Sequence, residues 1–344
     1  MSDALILAQY GSNGAPSAAI FTIVGVTVVY LLVIRFMDLN EKEPFRGIAL
    51  LFGLGAAAGL ALPYVADTPT LELNQVLGPL LVELSKFGAL AIGLALLGAA
   101  GRRRGWAEMG GLMDGIVYGA AAGFGFAAGA AIFRELTFRS ETLTSLTSPI
   151  TFAAIALFGL SEGLFGAVMG AGFGAAVTGS KFGRGFAVAA GLGLAILFHV
   201  VFAIVARGNA LAGSAGYTRH VLALAIPVVF VIGVVVVALT RERRALRDNL
   251  ADEAEAGVVT RDEFELLGKF VARRALYLRR FLSGDLAGWR AQRALHNRQI
   301  QLALAEARLS RESDPGRRAR IGEEVSHLRQ AIGDARTRLL EVGG

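Results

Sequence analysis

Cysteine is absent from the 344-residue chain, which excludes disulfide bonds, thiolate metal sites and a cysteine nucleophile. Charged residues are also scarce, at 18%, whereas a soluble domain carries about 25%. Apolar residues make up 54% of the chain, and the mean hydropathy is +0.55. These proportions favour a lipid bilayer, rather than water, as the solvent of most of the chain.

The amino-terminal stretch also lacks positive charge. Residues 1–17 contain no Lys or Arg and include Asp3, so they lack the basic start of a secretory signal peptide. We therefore interpret this stretch as a short extracytoplasmic leader.

Seven apolar stretches are long enough to cross a bilayer as helices, which takes about 20 residues each. They cover about 18–37, 47–66, 77–100, 112–134, 150–178, 185–207 and 219–240. Basic residues remain on the cytoplasmic side of short connections, and they concentrate in one alternating set: Lys42, Arg46, Arg102, Arg103, Arg104, Lys181, Arg184, Arg241, Arg243 and Arg244. The sequence predicts an all-α, polytopic membrane bundle over 18–240, with the N-terminus outside and the C-terminus in the cytoplasm.

Residues 241–344 are predicted to form a basic cytoplasmic tail of helices. This stretch has 21 Lys and Arg against 16 Asp and Glu, a net charge of +5, which would attract anionic lipid. Thr260 and Glu263 fit a capping box, and Ser313 to Pro315 fit another helix start. Two apolar rows predict a helical hairpin or a dimerising coil, and a cytosolic partner is also possible. The first row is Leu295, Leu302 and Leu309, and the second is Ile321, Val325, Leu328, Ile332, Ala335 and Leu339. Interspersed charges without aromatic platforms argue against nucleic-acid binding.

Small residues recur at one-turn spacing on the fourth and fifth predicted spans. One row comprises Gly115, Gly119 and Gly123, and the other comprises Gly166, Gly170 and Gly174. Glycines let helix backbones approach closely in lipid. The rows fit tight packing within one bundle, and dimerisation or a substrate groove remains open.

Four ionisable residues within the predicted spans are the candidates for chemistry: Glu83 and Lys86 on the third, Glu162 on the fifth and His199 on the sixth. Charge inside a membrane is costly and therefore marks a functional candidate. One interpretation is structural, with Glu83 paired to Lys86 and Glu162 paired to His199. The other is that the carboxylates and the imidazole share one polar pocket and activate a water molecule.

The order of motifs resembles the PrsW family of glutamic-type intramembrane proteases, which are distantly similar to CAAX prenyl endopeptidases. Asp38, Glu41, Lys42, Glu43 and Pro44 look like the family's D-x-x-E-K-E-P signature, and the closest match is the run from Asp114 through Tyr118 to Phe126 and Ala128. Leu295 to Leu309 is similar to the tail of actinobacterial-type members. The resemblance covers nearly the whole chain and implies a bacterial cytoplasmic membrane protein.

The resemblance also implies catalytic positions, and this chain departs from several of them. The family pattern is E-E-x-x-K, F-x-x-x-E, a His on the fifth span and H-x-x-x-N. Here Val82 replaces the first Glu, Ala130 replaces the Glu that follows Phe126, Glu162 stands at the fifth-span His position, and Ala203 replaces the Asn after His199.

Three functions follow as hypotheses. By resemblance, Glu83 would be the general base, Glu162 and His199 would orient water or protonate the leaving amine, and Lys86 would set the ionisation of Glu83. Asp114, Tyr118, Phe126, Ala130 and Ala203 would support the site or line a substrate groove. The substrate would be a transmembrane regulator, such as an anti-sigma factor.

The second hypothesis is an inactive pseudoprotease or scaffold that binds transmembrane helices and signals through its tail. A transporter or channel is weaker, because no inverted halves or interrupted helices are apparent. We predict no cofactor and no metal, because only Glu83, Glu162 and His199 offer ligands.

Overall fold

The described part of the chain is helical and has no strands. The computed structural model describes residues 16–37, 43–66, 74–104, 109–138, 149–177, 181–206, 214–310 and 312–343. Its helices are α1 (Pro16–Met37), α2 (Phe45–Val65), α3 (Leu77–Arg104), α4 (Leu112–Phe138), α5 (Pro149–Val177), α6 (Lys181–Ala206), α7 (Ser214–Glu255), α8 (Arg261–Leu267), α9 (Phe270–Leu282), α10 (Leu286–Leu309) and α11 (Pro315–Gly343).

Six helices, α2 to α7, are long and apolar enough to cross a membrane. They carry exposed apolar side chains that water would not favour, including Ile92, Phe186, Leu197 and Ile226. This is the pattern of a multi-pass membrane protein. The first predicted span, 18–37, corresponds to α1, whose described apolar stretch, Thr22–Arg35, is shorter than a full span. The seven-span count therefore stays a prediction.

Several predicted boundaries move, and part of the sequence argument lies outside the described residues. The helix that contains the predicted span 219–240 continues to Glu255, so Arg241 lies inside a helix. The leader up to residue 15 and the signature residues Asp38, Glu41 and Lys42 are not among the residues described.

Helix α4 is the central helix of the bundle, because close backbone contacts join it to α2 and α5. A Cβ added to Gly119 would overlap the carbonyl oxygen of Gly166, and one added to Gly123 would overlap the carbonyl oxygen of Glu162. On another face of α4, a Cβ at Gly125 would overlap the carbonyl oxygen of Phe52 in α2. The predicted glycine rows therefore pack against each other within one bundle, which confirms that interpretation.

The chain divides into two compact units, with the boundary between Val235 and Val236 inside α7. The second unit contains the end of α7 and helices α8 to α11. Thr260 and Glu263 form the predicted capping box, with both reciprocal hydrogen bonds present.

The predicted hairpin is formed by α10 and α11 within this second unit. Leu295 and Leu302 of α10 share a buried cluster with Val325 and Ile332 of α11. Hydrogen bonds from Arg308 to Glu324 and from Arg298 to the Ala331 carbonyl give an antiparallel register. The apolar rows are thus buried against each other without a second copy of the chain.

Candidate functional site

Four ionisable side chains meet inside the first unit. The Lys86 ammonium lies 2.6 Å from Glu83 Oε1 and 2.6 Å from Glu162 Oε2. His199 Nδ1 lies 2.7 Å from Glu83 Oε1, so the ring donates to a carboxylate oxygen that also accepts from Lys86. The structure therefore brings together all four residues that the sequence analysis selected as catalytic candidates.

The three helices that carry these residues explain why they meet. Glu83 and Lys86 are three residues apart on α3 and so share one helical face. Glu162 lies on α5, where Gly123 of α4 packs directly against its carbonyl. His199 lies on α6, whose Gly191 approaches Gly172 of α5. Close glycine contacts thus fix the distance between the helices that surround the cluster.

The cluster is almost completely removed from solvent. Glu83, Lys86 and Glu162 are buried, whereas the His199 side chain keeps 13% exposure and is the most accessible member. Buried charges are tolerated only when they are paired, and this arrangement pairs each of the three charged residues.

Aromatic rings form the apolar wall of the cluster. Phe165, one turn after Glu162, stacks on the His199 ring with centroids 4.9 Å apart. The Lys86 ammonium lies 5.5 Å from the Phe165 centroid and 5.7 Å from that of Phe126. Cation–π contacts at these distances stabilise a desolvated ammonium.

One oxygen of the cluster has no partner. Glu83 Oε2 is buried and accepts no hydrogen bond from any described residue, although Oε1 of the same carboxylate accepts two. A buried polar atom without a partner is uncommon and calls for a functional or structural explanation. An unpartnered carboxylate oxygen can accept a hydrogen bond or a proton from a small bound molecule.

The spacing of the cluster suits a single small molecule. Ligand atoms of Glu83, Glu162 and His199 all lie within 4.8 Å of one another. Two hydrogen bonds of about 2.8 Å to one water oxygen at a tetrahedral angle span roughly 4.6 Å. The three side chains could therefore bind one water molecule together, which is the geometry required for its activation.

The same three residues have donor types that suit a divalent metal ion. However, the Lys86 ammonium already contacts both carboxylates, so a metal ion bound there would be repelled by an adjacent positive charge. The expectation of no metal stays a prediction.

The structure confirms the predicted pair of Glu83 with Lys86 but gives Glu162 and His199 other hydrogen-bond partners. Lys86 bridges both carboxylates, and the hydrogen bond of His199 goes to Glu83. His199 Nε2 is 3.8 Å from Glu162 Oε1, which is too long for a hydrogen bond. Only the second pair differs from the prediction, because the long Lys86 side chain also reaches Glu162 on α5.

Of the five supporting candidates, Phe126 lies beside the cluster, with its ring centroid 5.7 Å from the Lys86 ammonium. Asp114 accepts from the backbone N–H groups of Gly110 and Gly111 and so caps the start of α4. The Tyr118 hydroxyl donates to the buried Glu43 carboxylate. At 1.5 Å per residue, Tyr118 lies about 12 Å along α4 from Phe126, which favours a supporting role.

The two alanines at substituted family positions bring no functional group to the site. Ala130 lies one turn beyond Phe126, where its backbone packs against Gly59 of α2. Ala203 lies one turn beyond His199 on α6 and is half-buried.

Sequence reasoning missed the role of Phe165 and the link between Glu43 and Tyr118. Phe165 could have been selected, because it follows Glu162 by three residues and therefore shares its helical face. Glu43 was noted only as part of a signature. No sequence signal indicated that its carboxylate would accept a hydrogen bond from Tyr118 on another helix.

The fold and the site together define a helical, multi-pass membrane protein with a buried glutamate–lysine–histidine cluster. Comparisons with protein-family models, with curated proteins and with solved structures found no match to this chain.

Proposed function

We propose that this chain is a PrsW-like intramembrane protease-fold protein that hydrolyses a peptide bond in a membrane-spanning substrate. One observation supports this most strongly: the unpartnered Glu83 Oε2 belongs to a buried cluster that also contains Glu162 and His199. The resemblance of the motifs to that family supplies the reaction class.

The reaction requires a base, a positioned water molecule and a proton for the leaving group. The water oxygen bonds to the scissile carbonyl carbon while one water proton moves to Glu83 Oε2. The carbon–nitrogen bond then breaks, and the departing nitrogen takes that proton from Glu83, either directly or relayed through the His199 ring. The products are a carboxylic acid and an amine, and the site regains its starting protonation.

Lys86 and Glu162 have positioning roles in this proposal. The Lys86 ammonium bonds Glu83 Oε1 and thereby leaves Oε2 as the oxygen that receives the proton. Glu162 fixes the other side of Lys86 and, with His199, orients the water molecule. A positive charge held in place also favours the negative oxygen that develops on the substrate.

The substrate proposed from the resemblance is a transmembrane regulator, such as an anti-sigma factor. Helices with exposed apolar faces, including α6 and α7, suit a substrate helix approaching through lipid. In the full proposal α1 also crosses the membrane, which gives seven spans. The N-terminus then lies outside a bacterial cytoplasmic membrane and the C-terminus lies in the cytoplasm.

The test is to incubate purified protein in nanodiscs with a panel of membrane-spanning peptides and to identify products by mass spectrometry. We expect cleavage by the unmodified chain and a loss of at least about 100-fold in E83Q and H199Q, as for removal of a general acid or base. S161A is the matched control, because Ser161 is equally buried beside Glu162 on α5 and its hydroxyl donates to the Phe158 carbonyl of its own helix. Cleavage that persists unchanged in E83Q would refute the mechanism.

The second candidate is a pseudoprotease that binds transmembrane helices without cleaving them. It is favoured by Lys86 pairing with both carboxylates and by alanine at positions 130 and 203, which leave fewer groups for chemistry. Peptides that crosslink to the chain in nanodiscs, remain intact and compete with one another would support it. The same result would end the hydrolytic proposal.

A further inference from the structure

Helix α9 in the second unit has its apolar side turned outward. Leu278 and Leu282 lie on one face and are exposed, Leu282 at 73%. Phe281, beside that face, and Leu286, at the start of α10, are also exposed. An amphipathic helix in a soluble fold normally places such residues inward, so this face is suited to a partner other than water.

The inward side of α9 is polar, which shows that the orientation is fixed by specific contacts. Arg273 is buried and donates to the Leu267 carbonyl. The Tyr277 hydroxyl hydrogen bonds to the buried His296 of α10, and Arg280 pairs with Asp285 at 2.6 Å. Turning the leucines inward would break these contacts.

Basic residues flank the exposed leucines. With 100° between successive helical residues, Arg274 and Arg279 lie on opposite sides of the stripe formed by Leu278 and Leu282. Arg279 is exposed and Arg274 is half-buried. The sequence of α9, FVARRALYLRRFL, has four arginines and no acidic residue.

We propose that this face of α9 lies in the headgroup region of an anionic lipid surface. An apolar stripe bordered by arginines allows leucine and phenylalanine to enter the acyl boundary while the guanidinium groups contact phosphates. The helix, about 20 Å long, lies in a unit that begins within α7, a candidate membrane span. The chain therefore connects this unit directly to a candidate membrane span.

Charge favours lipid over a second copy of this chain as the occupant. Two copies meeting through this face would bring arginines together, and like charges at an interface are unfavourable. Anionic phospholipid attracts such residues by about 1 kcal/mol each near the surface. The net charge of residues 241–344 is also positive and favours the same anionic lipid.

The absence of native cysteine makes the test direct. L282C in the full-length chain is labelled with a nitroxide and placed in nanodiscs of phosphatidylcholine alone or with 30% phosphatidylglycerol. Electron paramagnetic resonance then measures collisions with oxygen and with a water-soluble nickel chelate. Q330C, at an exposed position of α11, is the matched control.

With phosphatidylglycerol present, we expect nickel collisions at residue 282 to fall at least threefold below those at residue 330 while oxygen collisions rise. R274Q together with R279Q should remove that protection but leave residue 330 unchanged. Equal nickel access at both positions in every lipid would overturn the proposal. Protection of residue 282 that is the same with and without phosphatidylglycerol would also overturn it. A short label-to-label distance between two copies, found together with protection, would overturn it as well.

Discussion

Lys86 is the residue that holds the intramembrane cluster together. Its ammonium contacts a carboxylate on its own helix and another on α5, so it joins two helices and neutralises charge on both. Removing one partner of a buried ion pair typically costs 3–5 kcal/mol, because the remaining charge is left uncompensated. Lys86 therefore contributes to stability whether or not the site is catalytic.

His296 is the residue in the second unit whose protonation should destabilise the fold. Burial, with the nearby Arg273 guanidinium, lowers the pKa of His296 to about 4. The pKa in the unfolded chain is about 6.5, so below that pH the unfolded chain binds the additional proton. Stability is then full above pH 6.5 and is lost as the pH falls towards 4.

We expect the free energy of unfolding of the second unit to fall by about 2 kcal/mol between pH 7 and pH 5. Urea unfolding is followed by the fluorescence of Trp289, which contacts Arg293 of the same helix. The measurement uses the W106F variant, which removes the other tryptophan of the chain. In H296Q the fall over this range should disappear. The neighbouring Glu263 does not interfere with this measurement. Hydrogen bonds from Arg336 and Thr260 outweigh burial and lower the pKa of Glu263, so the stability that Glu263 contributes is lost only below about pH 4.5, outside the range from pH 7 to pH 5. A fall of equal size in H296Q would contradict the assignment.

At the scale of elements, α4 shows how glycine rows become a packing surface. Its faces contact α2 and α5 through backbone atoms, which leaves no space for a methyl group at several positions. Because the neighbouring atoms are carbonyl oxygens, side-chain rotation cannot relieve an overlap. These contacts set the separation of α4 from α2 and from α5, the helix that carries Glu162.

Two glycines of α2 give a matched test of this packing. A Cβ at Gly55 would overlap the carbonyl oxygen of Ala122 in α4, whereas a Cβ at Gly53 would meet nothing within 4 Å. Alanine gains about 1 kcal/mol of helix propensity over glycine, but overpacking costs about 1–3 kcal/mol. We expect G55A to lower the unfolding temperature by several degrees in detergent, and G53A to leave it unchanged or raise it. Equal unfolding temperatures would show that α2 and α4 are not held this closely.

At the scale of the whole molecule, the two units depend on different solvents. The first unit exposes apolar side chains along its outer helices and buries its polar cluster, as lipid requires. The second unit buries apolar rows in the hairpin of α10 and α11 and exposes charge, as water requires. Helix α9, which exposes Leu278 and Leu282, departs from that pattern.

The orientation of the whole chain can be tested with the same cysteine-free background. With seven spans, S2C should react with a membrane-impermeant maleimide from outside intact bacterial spheroplasts, and Q330C should react only after permeabilisation. If α1 does not cross the membrane, both positions lie on one side and label together. Labelling is measured by the mass shift on a denaturing gel, with a cysteine-free chain as the blank.

The sequence by itself determined the helical, membrane-type character, the capping box at Thr260, the apolar rows of the hairpin and the four residues of the cluster. Each of these depends on local composition or on the spacing of residues along one helix. The tertiary structure alone decided that His199 bonds Glu83, that Lys86 reaches Glu162 and that Phe165 covers the ring. Those contacts depend on how each helix is rotated and how closely the glycines let the backbones approach, which no single helix specifies.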